Sequence, residues 1–176
     1  ANLAFLHSLT ALLVTAAVLT AVGVGLTEPL GYLLGANEAY INDVQDYLFW
    51  YSAFILPSAL SMLLQFFVRN DGSPILVMAA TGVSSGLNIF LDWLFVFPLR
   101  QGVAGAAIAT GISQTVSFLI LASHFFRKRG ALRVRRFRLD AKLMKKVLMR
   151  GAPEAVAQFA SPVSILCLNY VLLERI

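Results

Sequence analysis

The sequence holds one cysteine, Cys167, and two histidines in 176 residues. A lone cysteine cannot close an intrachain disulfide, and within an apolar run it reads as a small buried hydrophobe. No Cys/His/Asp cluster has metal-ligand spacing, and neither a phosphate-binding loop nor a dinucleotide fingerprint is present. Neither a metal nor an organic cofactor is therefore expected. His7 and His124 fall near the same ends of different apolar segments, and Asp92 lies nearer the opposite ends. They form no common catalytic cluster, so an enzyme is not expected. Charge is scarce as well: 13% of residues are Asp, Glu, Lys or Arg, about half the share of a soluble domain.

What is abundant is apolar. Hydrophobic residues make up 59% of the chain and the mean hydropathy is +0.77. This composition predicts an all-α polytopic membrane protein with about five transmembrane helices, each taking roughly 20 residues. The first span is expected at 4–26, its apolar run continuing past Glu28-Pro29 to Leu34. The second is expected at 47–68, kinked by Pro57, which removes one backbone hydrogen bond. The third covers 74–98 and the fourth 103–126. Gly102 with Ala106, and Gly105 with Ala109, make small-xxx-small pairs that let another helix approach. The chain begins Ala-Asn-Leu-Ala without a basic leader and ends just after an apolar run, so it is expected to be a segment of a longer protein.

Eleven of the fourteen basic residues lie in 127–150. Asp140 reads as a helix N-cap, and Leu143, Met144, Val147 and Leu148 form one apolar stripe. A short amphipathic helix at the membrane surface is expected here, ended by Gly151-Ala152-Pro153 before a fifth span at 153–173. The positive-inside rule makes 127–150 cytoplasmic. Alternation then places Arg69–Pro74 inside, and the acidic stretch with Glu38, Asp43 and Asp46 outside. The basic tract beside five spans points to the lipid bilayer and its anionic headgroups rather than to nucleic acid.

One carboxylate, Asp92, stands inside the third span, with Asn88 four residues earlier on the same helical face. A charge among lipid tails costs at least about 2.5 kcal/mol, so Asp92 is expected to face a protein interior or a wet cavity. It is the strongest functional candidate, with a structural polar clamp between helices as the rival role. Pro57 reads as a hinge or a fixed kink. Gln65, Gln114, Gln158 and Asn169 read either as cavity-lining polar groups or as interhelical hydrogen-bonding groups.

The run Asn88-Ile89-Phe90-Leu91-Asp92-Trp93-Leu94-Phe95, followed by Gly102-Val103-Ala104-Gly105-Ala106-Ala107-Ile108-Ala109-Thr110, resembles the multidrug and toxic compound extrusion (MATE) transporters. The similarity is nearest their prokaryotic DinF-like branch. The turn Arg69-Asn70-Asp71-Gly72-Ser73-Pro74, and Gly151-Ala152-Pro153 after a basic linker, are similar too. The resemblance implies twelve helices in two lobes. Residues 1–126 would be helices three to six of the first lobe, 127–150 the cytoplasmic inter-lobe linker, and 151–176 the first helix of the second lobe. It also implies an intra-lobe cation site whose matching residues are Asn88, Asp92 and Thr110. Glu154 matches only loosely an acidic residue used by other branches, and reads equally as a helix N-terminal charge.

The expected function is H+- or Na+-coupled antiport of a small organic cation across the cytoplasmic (inner) membrane, completed by the remaining helices of the same transporter. The alternative is a lipid-linked oligosaccharide flippase of the same superfamily. The absence of Lys and Arg at mid-depth, where a diphosphate would be held, speaks against it. A purely structural membrane subunit is the third reading.

Overall fold

A computed structural model describes residues 2–34, 36–126, 132 and 139–173; for 126, 159, 161–163 and 165–173 it describes the backbone alone. The described residues form seven α-helices and no strand. Chain contacts divide them into two units, Ala1–Arg135 and Arg136–Ile176.

The first unit is an antiparallel bundle whose helix ends are set largely by proline. Helix α1 (Asn2–Gly25) stops four residues before Pro29, and α2 (Thr27–Leu33) follows after a junction at Leu26. Helix α3 (Ile41–Ala53) stops four residues before Pro57, and α4 (Ile55–Asn70) follows after Phe54. In both cases the proline has no N–H for the carbonyl four residues back, and its ring crowds that carbonyl. The single run expected to reach Leu34 is therefore two helices. The expected kink near Pro57 is a 48° bend between α3 and α4. It falls at Phe54 rather than at the proline, and the bent span begins at Ile41 rather than 47. At the bend the Phe54 amide is shared between the Trp50 and Tyr51 carbonyls, at 3.3 and 3.2 Å.

Helices α5 (Pro74–Val96) and α6 (Gly102–Phe126) complete the unit, with Pro74 in the first turn of α5. Three of the helices, α1, α5 and α6, are long and apolar enough to cross a membrane, and the bent α3–α4 pair makes a fourth. Helix α6 is the hub: it packs most extensively on α5, then on α4 and α3. Missing side chains permit this. A Cβ on Gly111 would collide with the Phe54 ring, and one on Gly105 would come within 2.9 Å of the Phe95 Cβ. Gly105 and the fully buried Ala109 thus serve the close approach that their spacing predicts. Gly102 does not, since a Cβ there meets nothing; it holds φ +56° in the turn into α6.

Buried Leu64, Val68, Val77, Ala80 and Leu121 form the interior. Phe5 meets Phe67 edge-on at 5.1 Å and stacks on Phe125 at 5.7 Å, closing one end of the bundle. Large apolar side chains such as Ile75, Met78 and Ile89 point outward, being 71–80% exposed. In water this would be a large unmet hydrophobic surface; against lipid it is the expected exterior.

The second unit is α7 (Ala141–Leu173), one helix of 33 residues. Asp140 caps it, its Oδ1 accepting the Lys142 amide at 2.8 Å. The expected break at Gly151-Ala152-Pro153 does not occur, so the residues expected to form a surface helix and a separate span are one continuous helix. Pro153 deletes one rung of the ladder, and a helix passes through a single missing rung when the freed carbonyl, here on exposed Met149, can be solvated.

Candidate cation-coupling site and adjoining cavity

The face of α5 turned to α6 carries Ser84, Asn88 and Asp92, one turn apart. Ser84 Oγ donates to the Ser113 carbonyl at 2.8 Å. Asn88 Nδ2 donates to Thr110 Oγ1 at 3.4 Å, near the limit of a useful bond. The antiparallel register that pairs 84 with 113 and 88 with 110 sets Asp92 opposite Gly105 and Ala106, which have no side-chain donor. Its Oδ1 is accordingly buried without a hydrogen-bond partner among the described residues. A buried acceptor left unmatched costs about 1–3 kcal/mol, and more when charged. Such groups mark places where an ion, a proton or a further donor is accommodated.

Thr110 also lines a cavity of about 530 Å³, together with Gln65, Gln114, Ser58, Tyr51 and Met62. Its lining holds neutral amides and hydroxyls, an aromatic ring and a thioether, with no charged side chain. Gln65 is fixed from behind: its Nε2 donates to Ser61 Oγ at 3.3 Å, and Ser61 Oγ donates to Ser117 Oγ at 2.9 Å. Pro57 adjoins Ser58, so the α3–α4 bend shapes this wall.

The structure thus brings Asn88 to Thr110 and joins Thr110, Gln65 and Gln114 around one cavity. Asp92 stands one turn beyond Asn88 and outside the lining. On an exposed side of α7, Gln158 Nε2 donates to Glu154 Oε1 at 3.1 Å. The Asn169 side chain lies outside the described residues.

Sequence reading does not single out Asp71. At the Phe5 end of the bundle its Oδ2 meets His124 Nε2 at 2.9 Å and accepts the Leu132 amide at 3.1 Å. Both side chains are shielded, His124 being 3% and Asp71 11% exposed. The signal was present in the alternation of spans, which puts the Asp71 turn and the last turn of α6 at the same end. Among the described residues, no three His, Cys, Asp or Glu side chains gather as metal ligands.

A bundle of lipid-exposed apolar helices, with amides and hydroxyls around a cavity and the carboxylates of Asp71 and Asp92 shielded within the bundle, defines a segment of a polytopic membrane transporter. Comparison with known proteins gives the family. The MatE family model matches residues 1–94, and the chain belongs to that family. It is 30% identical to the multidrug export protein MepA of Staphylococcus haemolyticus, over 80% of this chain and 32% of the relative. It is 32% identical to an FAD transporter of Shewanella oneidensis, over 91% of this chain and 37% of the relative. A crystal structure of a MATE protein in the bent conformation superposes with a TM-score of 0.81 at 27% identity, covering 94% of this chain and 37% of that one. The chain spans about a third of the length of the curated relatives it matches.

Proposed function

We propose that the chain is part of a cation-coupled drug exporter of the cytoplasmic membrane, exchanging H+ or Na+ for an organic cation. Residues 127–150 would face the cytoplasm. The observation that carries the reading is the buried, unmatched Asp92 Oδ1, one turn from the Asn88–Thr110 bond. Asp92 exchanges the cation. Asn88 links the occupancy of Asp92 to Thr110, and Thr110 belongs both to that bond and to the cavity wall. Loading at Asp92 is thereby coupled to the shape of the cavity through a single α5–α6 contact. The multidrug export relatives support export of drugs as the task.

The test is ethidium efflux from proteoliposomes holding the full-length protein, under imposed H+ or Na+ gradients. Asp92→Asn is expected to abolish gradient-driven efflux while leaving the protein folded. Undiminished efflux in that variant would make Asp92 a structural clamp and end the proposal.

A second reading of the substrate has its own support. The cavity presents no carboxylate to a cation, and one relative is named an FAD transporter. Gln65 and Gln114 can pair with the donor–acceptor edges of a flavin-like ring, and Tyr51 can stack on it. Flavin efflux exceeding ethidium efflux in the same vesicles would favour this reading.

A further inference from the structure

The first turns of α7 carry Lys142, Lys145, Lys146 and Arg150. At 3.6 residues per turn these four fall within an arc of about 140°. All four are exposed, whereas Leu143, Met144 and Val147 on the other side are partly covered. None of the four makes an ion pair with a described residue. Asp140, their neighbour in sequence, is engaged with its Oδ1 in capping the helix.

The continuity of α7 fixes the depth of this stripe, given the membrane-spanning reading above. Its 33 residues measure about 50 Å, against about 30 Å of hydrocarbon. Residues 155–173 contain no charged side chain and span about 28 Å, so they fill the hydrocarbon. The basic stripe then stands at the headgroup level, on the same rod. On the same side of the helix are exposed Met149 and, two turns further on, Val156, an apolar surface continuous with the cationic one.

We propose that this stripe is a binding site for anionic phospholipid. The phosphate is held by Lys142, Lys146 and Arg150, and the acyl chains run along Met149 and Val156. A lipid is the occupant because it alone offers a phosphate and an apolar tail to adjoining parts of one helix. A basic residue near the surface contributes about fivefold to anionic-lipid affinity.

The probe is phosphatidylglycerol, titrated onto the delipidated full-length transporter and followed by native mass spectrometry, with phosphatidylcholine as the neutral control. Wild type is expected to retain phosphatidylglycerol preferentially. The triple variant K142Q/K146Q/R150Q should bind it at least tenfold more weakly, with phosphatidylcholine unchanged, whereas K142R/K146R/R150K retains it. Equal retention of the two lipids by wild type, or equal phosphatidylglycerol binding by the glutamine variant, overturns the site. Salt provides a test without mutation: phosphatidylglycerol affinity must fall as ionic strength rises, and a flat response rejects it. The orientation is checked separately with M149C in a cysteine-free background of the full-length protein that includes Cys167→Ser. Labelling by an impermeant maleimide from the cytoplasmic side supports the placement; labelling from outside removes the membrane reading beneath it. Because lipid retention is read without transport, absence of efflux leaves this result standing.

Discussion

Two neighbouring serines of α6 show how finely polar groups are apportioned inside the bundle. Ser113 Oγ is buried with no partner among the described residues, while Ser117 Oγ receives the Ser61 hydroxyl at 2.9 Å. Alanine should therefore act with opposite sign at the two sites. Ser113→Ala removes an unsatisfied hydroxyl and is expected to raise the melting temperature of the detergent-solubilised protein slightly. Ser117→Ala leaves Ser61 without its acceptor and is expected to cost about 1–3 kcal/mol. A melting temperature lowered equally by both changes would contradict this assignment. Asp92 and Asn88 were legible as sequence because a lone carboxylate in an apolar run has few tolerable environments, and four-residue spacing fixes a shared face. Thr110 came only through family resemblance. The serines were silent, since a hydroxyl barely moves hydropathy and can satisfy itself on its own helix, as Thr115 does on the Gly111 carbonyl at 2.7 Å.

At the scale of elements, proline chemistry was legible but its geometry was not. The sequence marks Pro57 as a kink; it does not say that the bend falls at Phe54, nor that the Phe54 ring is received by Gly111. Pro57→Ala restores the rung to the Ala53 carbonyl and should straighten the 48° bend, drawing Phe54 off α6. Spin labels at Asp46 and Arg69 would report a longer separation in the variant, and an unchanged distance would show that packing, rather than proline, holds the bend. The same rule misleads at Pro153, where α7 runs on. A missing rung breaks a helix where neighbouring packing rewards a change of direction, as Gly111 rewards it at Phe54. Around Pro153 the described side chains are exposed, and nothing there favours a turn.

For the molecule as a whole, hydropathy read out the class and the first four spans, because lipid leaves so few options to a backbone. Which helix lies at the centre was not legible. That place belongs to α6, through small residues whose significance depends on what faces them. The Asp71 contact ties the α4–α5 turn, the end of α6 and Leu132 of the basic stretch to one oxygen. Asp71→Ala is expected to leave His124 buried without its partner and to release Leu132. Trypsin should then cut the full-length protein faster within 127–138, while cleavage at Arg69 is unaffected. An unaltered cleavage pattern would mean that Leu132 is held by other contacts.

The register that opposes α5 to α6 also bears on how the chain enters the membrane during synthesis. Asn88 and Asp92 leave the ribosome before Thr110, which receives the Asn88 amide, has emerged. Helix α5 would then meet hydrocarbon with an unmatched carboxamide and a carboxylate, a poor candidate for release alone. Helix α6, which follows after a five-residue turn, supplies both the hydroxyl and the closely fitting Gly105 surface. The α5–α6 hairpin is therefore expected to enter lipid as a pair.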